Sequence, residues 1–161
     1  MLSSKLEDEL ARVLALALRY VRAGVRSGHE VRTYLRRRGV AAETASRAVT
    51  ALSTTRGVLD DRACARLWAD QWARRGYAST AIRVKLSAKG LDDVTIDHAI
   101  TQLQISSDDD ARAREVVARY ARSDVGRQGR ARMARTLASR GFDSDLIEQV
   151  LNESFGPLVS S

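Results

Sequence analysis

The sequence has few residues of the kinds that stiffen, crosslink or anchor a chain. One proline, Pro157, and an aromatic content of 5% favour an all-helical chain with short connections. The single Cys64 cannot form an internal disulfide, so nothing suggests secretion and we expect a reducing cytoplasm. The most apolar early run, residues 13–18, is far too short to cross a bilayer and has no cleavage-site pattern, so we read no signal or membrane segment.

Residues for catalysis or metal binding are also scarce. There is no G-x-x-x-x-G-K-[ST] phosphate loop, no G-x-G-x-x-G and no cysteine and histidine set with metal spacing. Only His29 and His98 are available for histidine chemistry, and both suit ordinary positions on a helix surface. Asp60 and Asp61 could form an acid pair, but adjacent carboxylates at a helix start more often cap the helix. We therefore expect no enzyme activity, no cofactor and no metal.

One short segment is present three times. The hexamers LRRRGV, LSAKGL and LASRGF place Gly39, Gly90 and Gly141 at intervals of 51 residues. A glycine just past a helix can adopt positive φ and cap the last carbonyls, while apolar residues on either side of it pack together. Apolar positions before and after each glycine keep the same interval, which predicts copies of one helical unit.

The pattern predicts an all-α fold of three tandem three-helix repeats in an elongated array. The repeats span residues 1–56, 57–106 and 107–161, with the polar linkers STTRG and SSDDD between them. The curvature of the array and the angles between repeats stay open.

Local signals place several helices. Ser27 and Glu30 form an S-x-x-E capping box that predicts a helix start, and Asp60 predicts an N-cap. Trp68 and Trp72 share one helix face, where core packing is favoured over partner contact.

The segment GVLDDRACARLWADQWARRGYASTAIRVKLSAKGL, residues 57–91, resembles the central repeat of the RecX family. The family pattern combines a G-hydrophobic-hydrophobic-D-D opening, an aromatic-rich first helix, R-G-Y and I-R-x-x-L-x-x-K-G. The matching positions are Gly57, Asp60, Asp61, Arg75, Gly76, Tyr77, Ile82, Arg83, Leu86, Lys89 and Gly90. SGHEVRTYLRRRGV is similar to the first repeat and LASRGFDSDLIEQVL to the last. The chain departs from the pattern at Cys64, where an aromatic residue is usual, and in SDDDARARE, which lacks a tryptophan.

The resemblance implies regulation without chemistry. RecX proteins bind RecA, the ATP-dependent recombinase that polymerises on single-stranded DNA, and restrain its filament growth, ATP hydrolysis and strand exchange. It implies a role in homologous recombination, DNA repair and the SOS response. For this chain we expect RecA and its single-stranded DNA filament as partners, a monomeric state and no membrane association.

Charge indicates where such a partner would bind. The net charge is +7, and residues 1–56 alone carry 11 basic and 5 acidic side chains, a surplus of +6. Within each repeat the second helix and its approach are basic, whereas the third helices of the later repeats are acidic, so we expect one basic and one acidic edge. Tyr77, in the R-G-Y turn, is the aromatic residue that we expect to be exposed. The predicted partner-binding residues are Arg32, Arg36, Arg37, Arg74, Arg75, Tyr77, Arg83, Lys85, Lys89, Arg130, Arg132 and Arg135.

Two alternatives belong to other classes of protein. Basic second helices superficially match a helix-turn-helix nucleic-acid-binding module, but TYLRRRG lacks the Asn and Gln that pair with adenine edges. Weak, salt-dependent binding to single strands remains open as a secondary property. A repeat scaffold that bridges two unrelated proteins is the other alternative. The sequence does not decide whether the filament is inhibited or stabilised, or whether it is bound at its end or along its groove.

Overall fold

The computed structural model describes residues 2–55, 57–120 and 127–157, and every regular element in these ranges is a helix. The predicted repeat boundary at Arg56 falls outside them. The described helices are α1 (Leu2–Arg22), α2 (Gly28–Arg37), α3 (Ala42–Thr54), α4 (Asp61–Arg74), α5 (Ser79–Ala88), α6 (Asp93–Ser106), α7 (Asp109–Tyr120), α8 (Arg127–Ser139) and α9 (Ser144–Phe155). The predicted all-α class is confirmed.

The predicted helix starts are confirmed as well. The Ser27 hydroxyl accepts a hydrogen bond from the Glu30 amide at 3.1 Å, and the Glu30 carboxylate accepts one from the Ser27 amide at 3.1 Å, which completes the capping box of α2. Asp60 Oδ1 accepts from the amides of Arg62 and Ala63 at 2.9 and 3.0 Å and so caps α4.

The three glycines of the repeated hexamer have the predicted backbone. Their φ values are 84° at Gly39, 74° at Gly90 and 85° at Gly141. After α2 the Val40 amide donates to the Leu35 carbonyl at 3.1 Å, which is the 6→1 hydrogen bond of a Schellman cap. The equivalent bond after α8 measures 3.2 Å.

Contacts divide the chain into two units, and the first consists of Met1–Ala65 and Ser87–Thr95. Its core joins the apolar stripes of α1, α2 and α3, which recur at helical spacing and so face one another when the helices pack. The buried members are Val13, Ala17, Val31, Leu35, Ala45, Ala48, Val49, Leu52 and Leu59.

The second unit consists of Arg66–Leu86 and Ile96–Ser161. One buried cluster in it joins α7, α8 and α9 to the segment before α5, through Ala78, Ala113, Val116, Val117, Met133, Leu137, Phe142, Val150 and Leu151. Trp68 of α4 is also buried, at 7% exposure, in agreement with the predicted core role. Residues of the predicted middle repeat thus contribute to both units, and the repeat boundaries at residues 57 and 107 stay a prediction.

Inside the first unit, the start of α2 lies against the glycine turn that follows α5. The Ser27 hydroxyl donates to the Lys89 carbonyl at 2.6 Å. The Gly28 amide donates to Asp61 Oδ1 at 2.8 Å. The second aspartate of the Asp-Asp pair therefore caps α2, while Asp60 caps α4.

Inside the second unit, the start of α5 makes an equivalent joint with the turn that follows α8. The Ala78 amide donates to the Arg140 carbonyl at 3.0 Å. The Ser79 amide donates to Asp109 Oδ1 at 2.9 Å. Each unit thus contains the same type of joint. The carbonyl before the turn glycine accepts a hydrogen bond from the residue before a second helix, through the hydroxyl of Ser27 or the amide of Ala78, and an aspartate at a helix start accepts one from the first amide of that second helix.

Candidate functional site

Three of the predicted cations lie on α2. Arg32, Arg36 and Arg37 are all exposed. Arg32 and Arg36 are one turn apart and share a face, whereas Val31 and Leu35 on another face of the helix are fully buried. Among the described residues none of the three arginines has an ion-pair partner. The α2 arginines, Arg32, Arg36 and Arg37, are therefore available to an anionic ligand without breaking an internal contact.

The residues that surround the R-G-Y turn are less uniform. Arg74 and Arg75 are exposed, and their role in a contact surface stays a prediction. Tyr77 is only half-buried and its ring lies under Lys85, with the Lys85 ammonium 4.5 Å from the ring centroid. Lys85 also lies 5.7 Å from the ring centroid of Trp72. The two cation–π contacts hold Lys85 over aromatic rings, so Tyr77 presents less free surface than an exposed anchor would.

Two further predicted cations are engaged in ion pairs. Arg83 pairs with Asp97 at 2.6 Å on the surface, where solvent keeps the contribution of such a pair small. Lys89 donates to Glu30 Oε1 at 2.8 Å, and both side chains are largely buried, at 33% and 19% exposure. A partner that uses Lys89 would have to compete with the carboxylate that completes the α2 capping box.

The predicted residues of α8 divide into one buried and two exposed side chains. Arg130 is 8% exposed and donates to the Gly156 carbonyl at 2.9 Å and to Asn152 Oδ1 at 2.7 Å, so its guanidinium holds the end of α9. Arg132 and Arg135 are exposed. Arg135 also lines an apolar groove of about 520 Å³ between α8 and α9. The predicted site residues of α8 thus have different environments.

The predicted residues are divided between the two units. The α2 arginines and Lys89 belong to the first unit, and the other predicted residues belong to the second. Each group keeps its own environment, from unpaired and exposed on α2 to buried and internally bonded at Arg130. Because α2 carries three exposed arginines without an ion pair among the described residues, more than any other helix contributes to the predicted set, we take the α2 arginines as the candidate surface for a partner.

One buried arginine in α7 is not recognisable from the sequence. Arg112 is 2% exposed, and its guanidinium donates to the carbonyl of Tyr77 at 3.2 Å and to the Ser79 hydroxyl at 2.8 Å. It also contacts the Ser107 carbonyl and the Asp109 carboxylate. Because it satisfies several polar groups in the joint of the second unit, Arg112 serves the fold rather than a partner.

Two ionisable groups of the described residues, Cys64 and Asp92, have a shifted pKa, and both have structural roles. Burial, followed by the nearby charge of Asp61, raises the pKa of the Cys64 thiol to about 11. The thiol therefore stays protonated at neutral pH and is a poor nucleophile. The Thr95 amide, which donates to Asp92 at 2.8 Å, holds the pKa of that carboxyl below its usual range, as expected for a helix N-cap.

No set of three or more His, Cys, Asp or Glu side chains in the described ranges is arranged to hold a metal ion. Among the helices described above, none combines the length and the apolar character that a membrane span requires.

Fold and surface together define an all-α helical-repeat protein whose candidate site is a set of exposed arginines. Its sequence matches the models of the RecX second three-helix domain over residues 60–100 and the RecX third three-helix domain over residues 108–151. The regulatory protein RecX of Thermobifida fusca is 29% identical over 151 residues, which cover 91% of this chain and 80% of the relative. That of Thermotoga maritima is 31% identical over 143 residues, which cover 89% of this chain and 84% of the relative.

Solved structures agree on the fold. A crystal structure of RecX from Lactobacillus salivarius superposes with a TM-score of 0.73 at 20% identity, covering 92% of this chain and 97% of that one. The chain belongs to the RecX family, whose curated members named above are regulatory proteins. The resemblance found in the sequence is confirmed.

Proposed function

We propose that this chain binds the RecA recombinase on single-stranded DNA and restrains filament growth, ATP hydrolysis and strand exchange. It acts in the cytoplasm as a monomer, and it has neither catalytic activity nor a cofactor of its own. Membership in a family of regulatory proteins supports a regulatory role. The exposed, unpaired α2 arginines are the observation that carries the proposal of an anionic partner surface.

The α2 arginines can bind an anion without first breaking an ion pair within the described residues. An arginine that is already unpaired and solvated loses no internal partner when it meets a carboxylate or a phosphate, and its planar guanidinium can bind either group bidentately. A nucleoprotein filament presents both anions repeatedly, so a row of such arginines has many equivalent places to bind. Long-range attraction between opposite charges would also speed association.

The direct test is the DNA-dependent ATPase of the cognate RecA, titrated with this protein. We expect the rate to fall as the protein approaches stoichiometric amounts. A rate that stays constant through that range contradicts the proposal.

Reversing two charges on α2 tests the role of the α2 arginines. The double variant Arg32→Glu/Arg36→Glu should weaken filament binding by about tenfold or more, because two attractive charges become repulsive, with little change in helical content. Binding of the parent protein should weaken with added salt, and the dependence should be shallower in the variant. Filament binding can be followed by fluorescence anisotropy, and helical content by circular dichroism.

A matched control is available on α4. Arg62 and Arg66 are also exposed, one turn apart and outside the predicted surface. Arg62→Glu/Arg66→Glu makes the same change in net charge, so it should reduce filament binding much less. Equal losses in the two double variants would show that net charge, and not the α2 surface, governs the interaction.

A repeat scaffold that bridges other proteins is the alternative, and a pull-down with and without nuclease separates the two. A filament ligand should need both the recombinase and DNA. Retention of unrelated proteins after nuclease treatment, with no recombinase among them, favours the scaffold.

A further inference from the structure

Four side chains of the first unit form one continuous stack. The rings of Tyr20 in α1 and Tyr34 in α2 are parallel within 2°, with their centroids 4.1 Å apart. The Arg26 guanidinium carbon lies 4.6 Å from the Tyr20 centroid, and that of Arg38 lies 5.2 Å from the Tyr34 centroid. We call this arrangement, in the order Arg26, Tyr20, Tyr34 and Arg38, the Arg–Tyr pile. Its planar groups all belong to types that stack well on nucleobases.

The two ends of the pile differ. At the inner end Arg26 is half-buried, and its buried Nε has no hydrogen-bond partner among the described residues, so ring contact rather than hydrogen bonding of Nε positions this end. At the outer end Arg38 is exposed and follows directly after the last residue of α2. The Arg38 guanidinium lies farther from the Tyr34 ring than the Arg26 guanidinium lies from the Tyr20 ring. The outer end is therefore the more accessible of the two to a flat ligand.

The charges around the outer end favour an anionic ligand. Arg37, one turn after Tyr34 on the same side of α2, is exposed and has no ion-pair partner among the described residues. Glu30, one turn before Tyr34, could repel an anion, but Lys89 pairs with it at 2.8 Å. Two available guanidiniums therefore adjoin the aromatic rings, with the nearest acidic side chain of the helix already paired.

We propose that the Arg–Tyr pile is a stacking site for an unpaired base of a single-stranded nucleic acid, which lies on the Arg38 end while neighbouring phosphates contact Arg37. Proteins that bind single strands combine cations for the backbone with planar side chains for the bases. An acidic peptide would use the guanidiniums but would gain nothing from stacked rings, so the aromatic part of the pile favours the base. The inference goes beyond the proposed function because this contact needs no recombinase.

The test uses the full-length chain alone and measures anisotropy with labelled single strands of about 15 nucleotides. Oligothymidylate should bind at least about fivefold more tightly than an abasic strand of equal length, since both carry the same phosphates but only one can stack. Tyr34→Leu should remove that difference, and Tyr34→Phe should keep it because the ring remains. An oligouridylate arm shows whether the site accepts RNA as well as DNA.

A control variant separates stacking from charge. Arg36 lies two residues from Tyr34, on nearly the opposite side of α2, so Arg36→Ala should weaken binding of both strands by the same factor. Equal binding of the two strands by the parent protein, or no binding of either, overturns the proposal. So does a Tyr34→Leu variant that still prefers the strand with bases. Because the recombinase is absent, these outcomes are independent of the ATPase test of the proposed function.

Discussion

Replacing Arg112 with methionine should lower the free energy of unfolding by about 3 kcal/mol, because it removes the buried member of an ion pair and a donor to several internal acceptors. Methionine keeps most of the aliphatic volume in α7, so the loss isolates the guanidinium. The carbonyls of Tyr77 and Ser107 would lose the hydrogen bonds that Arg112 donates, and Asp109 would keep its charge with fewer donors. Urea unfolding followed by circular dichroism measures the effect.

Arg114, two residues further along α7, provides the control. It is half-buried and its ion pairs with Asp110 and Glu153, at 3.1 and 3.2 Å, are accessible to solvent. Arg114→Met should therefore cost about 1 kcal/mol or less. If the Arg112 and Arg114 variants unfold at similar urea concentrations, the buried network does not stabilise the second unit as argued.

Features of the fold that depend on neighbouring residues could be predicted from the sequence. The capping box needs only Ser27 and Glu30, three residues apart, and the positive φ at Gly39 follows from its place just past a helix. The buried positions Val31 and Leu35 follow from helical spacing in the same way. In the first two cases the deciding contacts lie within one or two helical turns, and in the third the spacing shows which face of the helix packs against others.

Contacts between distant residues could not be predicted in this way. Arg112 looks like any other arginine of a charged helix, and only the fold brings it to Tyr77, 35 residues earlier. The charge of Arg130 predicts a contact surface, yet the structure buries this side chain against Asn152. Charge alone does not show whether an arginine contacts solvent or an internal acceptor. The acceptors are carbonyls and amides, which are uncharged and which the sequence does not mark as partners of a particular arginine.

The joints between helices can be predicted only in part from the sequence. The bond from Ser27 to the Lys89 carbonyl spans 62 residues, and the bond from Ala78 to the Arg140 carbonyl spans the same interval. The 51-residue repeat predicts that any joint found once recurs, since Ser27 and Ala78 are equivalent positions, as are Lys89 and Arg140. It does not predict which groups meet, because that depends on how successive helices pack.

Alanine substitutions at Gly39 and Gly90 should differ in their cost to stability. Gly39 and Gly90 have nearly the same conformation, with φ values of 84° and 74°. They differ in their surroundings, because a Cβ at Gly39 would meet no atom within 4 Å, whereas a Cβ at Gly90 would overlap the Cβ and ring of His29. Gly39→Ala should therefore cost about 1 kcal/mol, the strain of an alanine at positive φ.

Gly90→Ala should cost about 3 kcal/mol or more, because that strain is joined by a steric overlap that rotation of the histidine ring cannot relieve. The Cβ of His29 is fixed by the backbone of α2, which the capping box and the bond from Ser27 to the Lys89 carbonyl hold in place. Adding His29→Gly should recover much of the loss despite the lower helix propensity of glycine, and thermal unfolding of the four proteins in the cycle measures the coupling. Equal costs for Gly39→Ala and Gly90→Ala would mean that the start of α2 and the turn after α5 do not approach each other as closely as the structure shows.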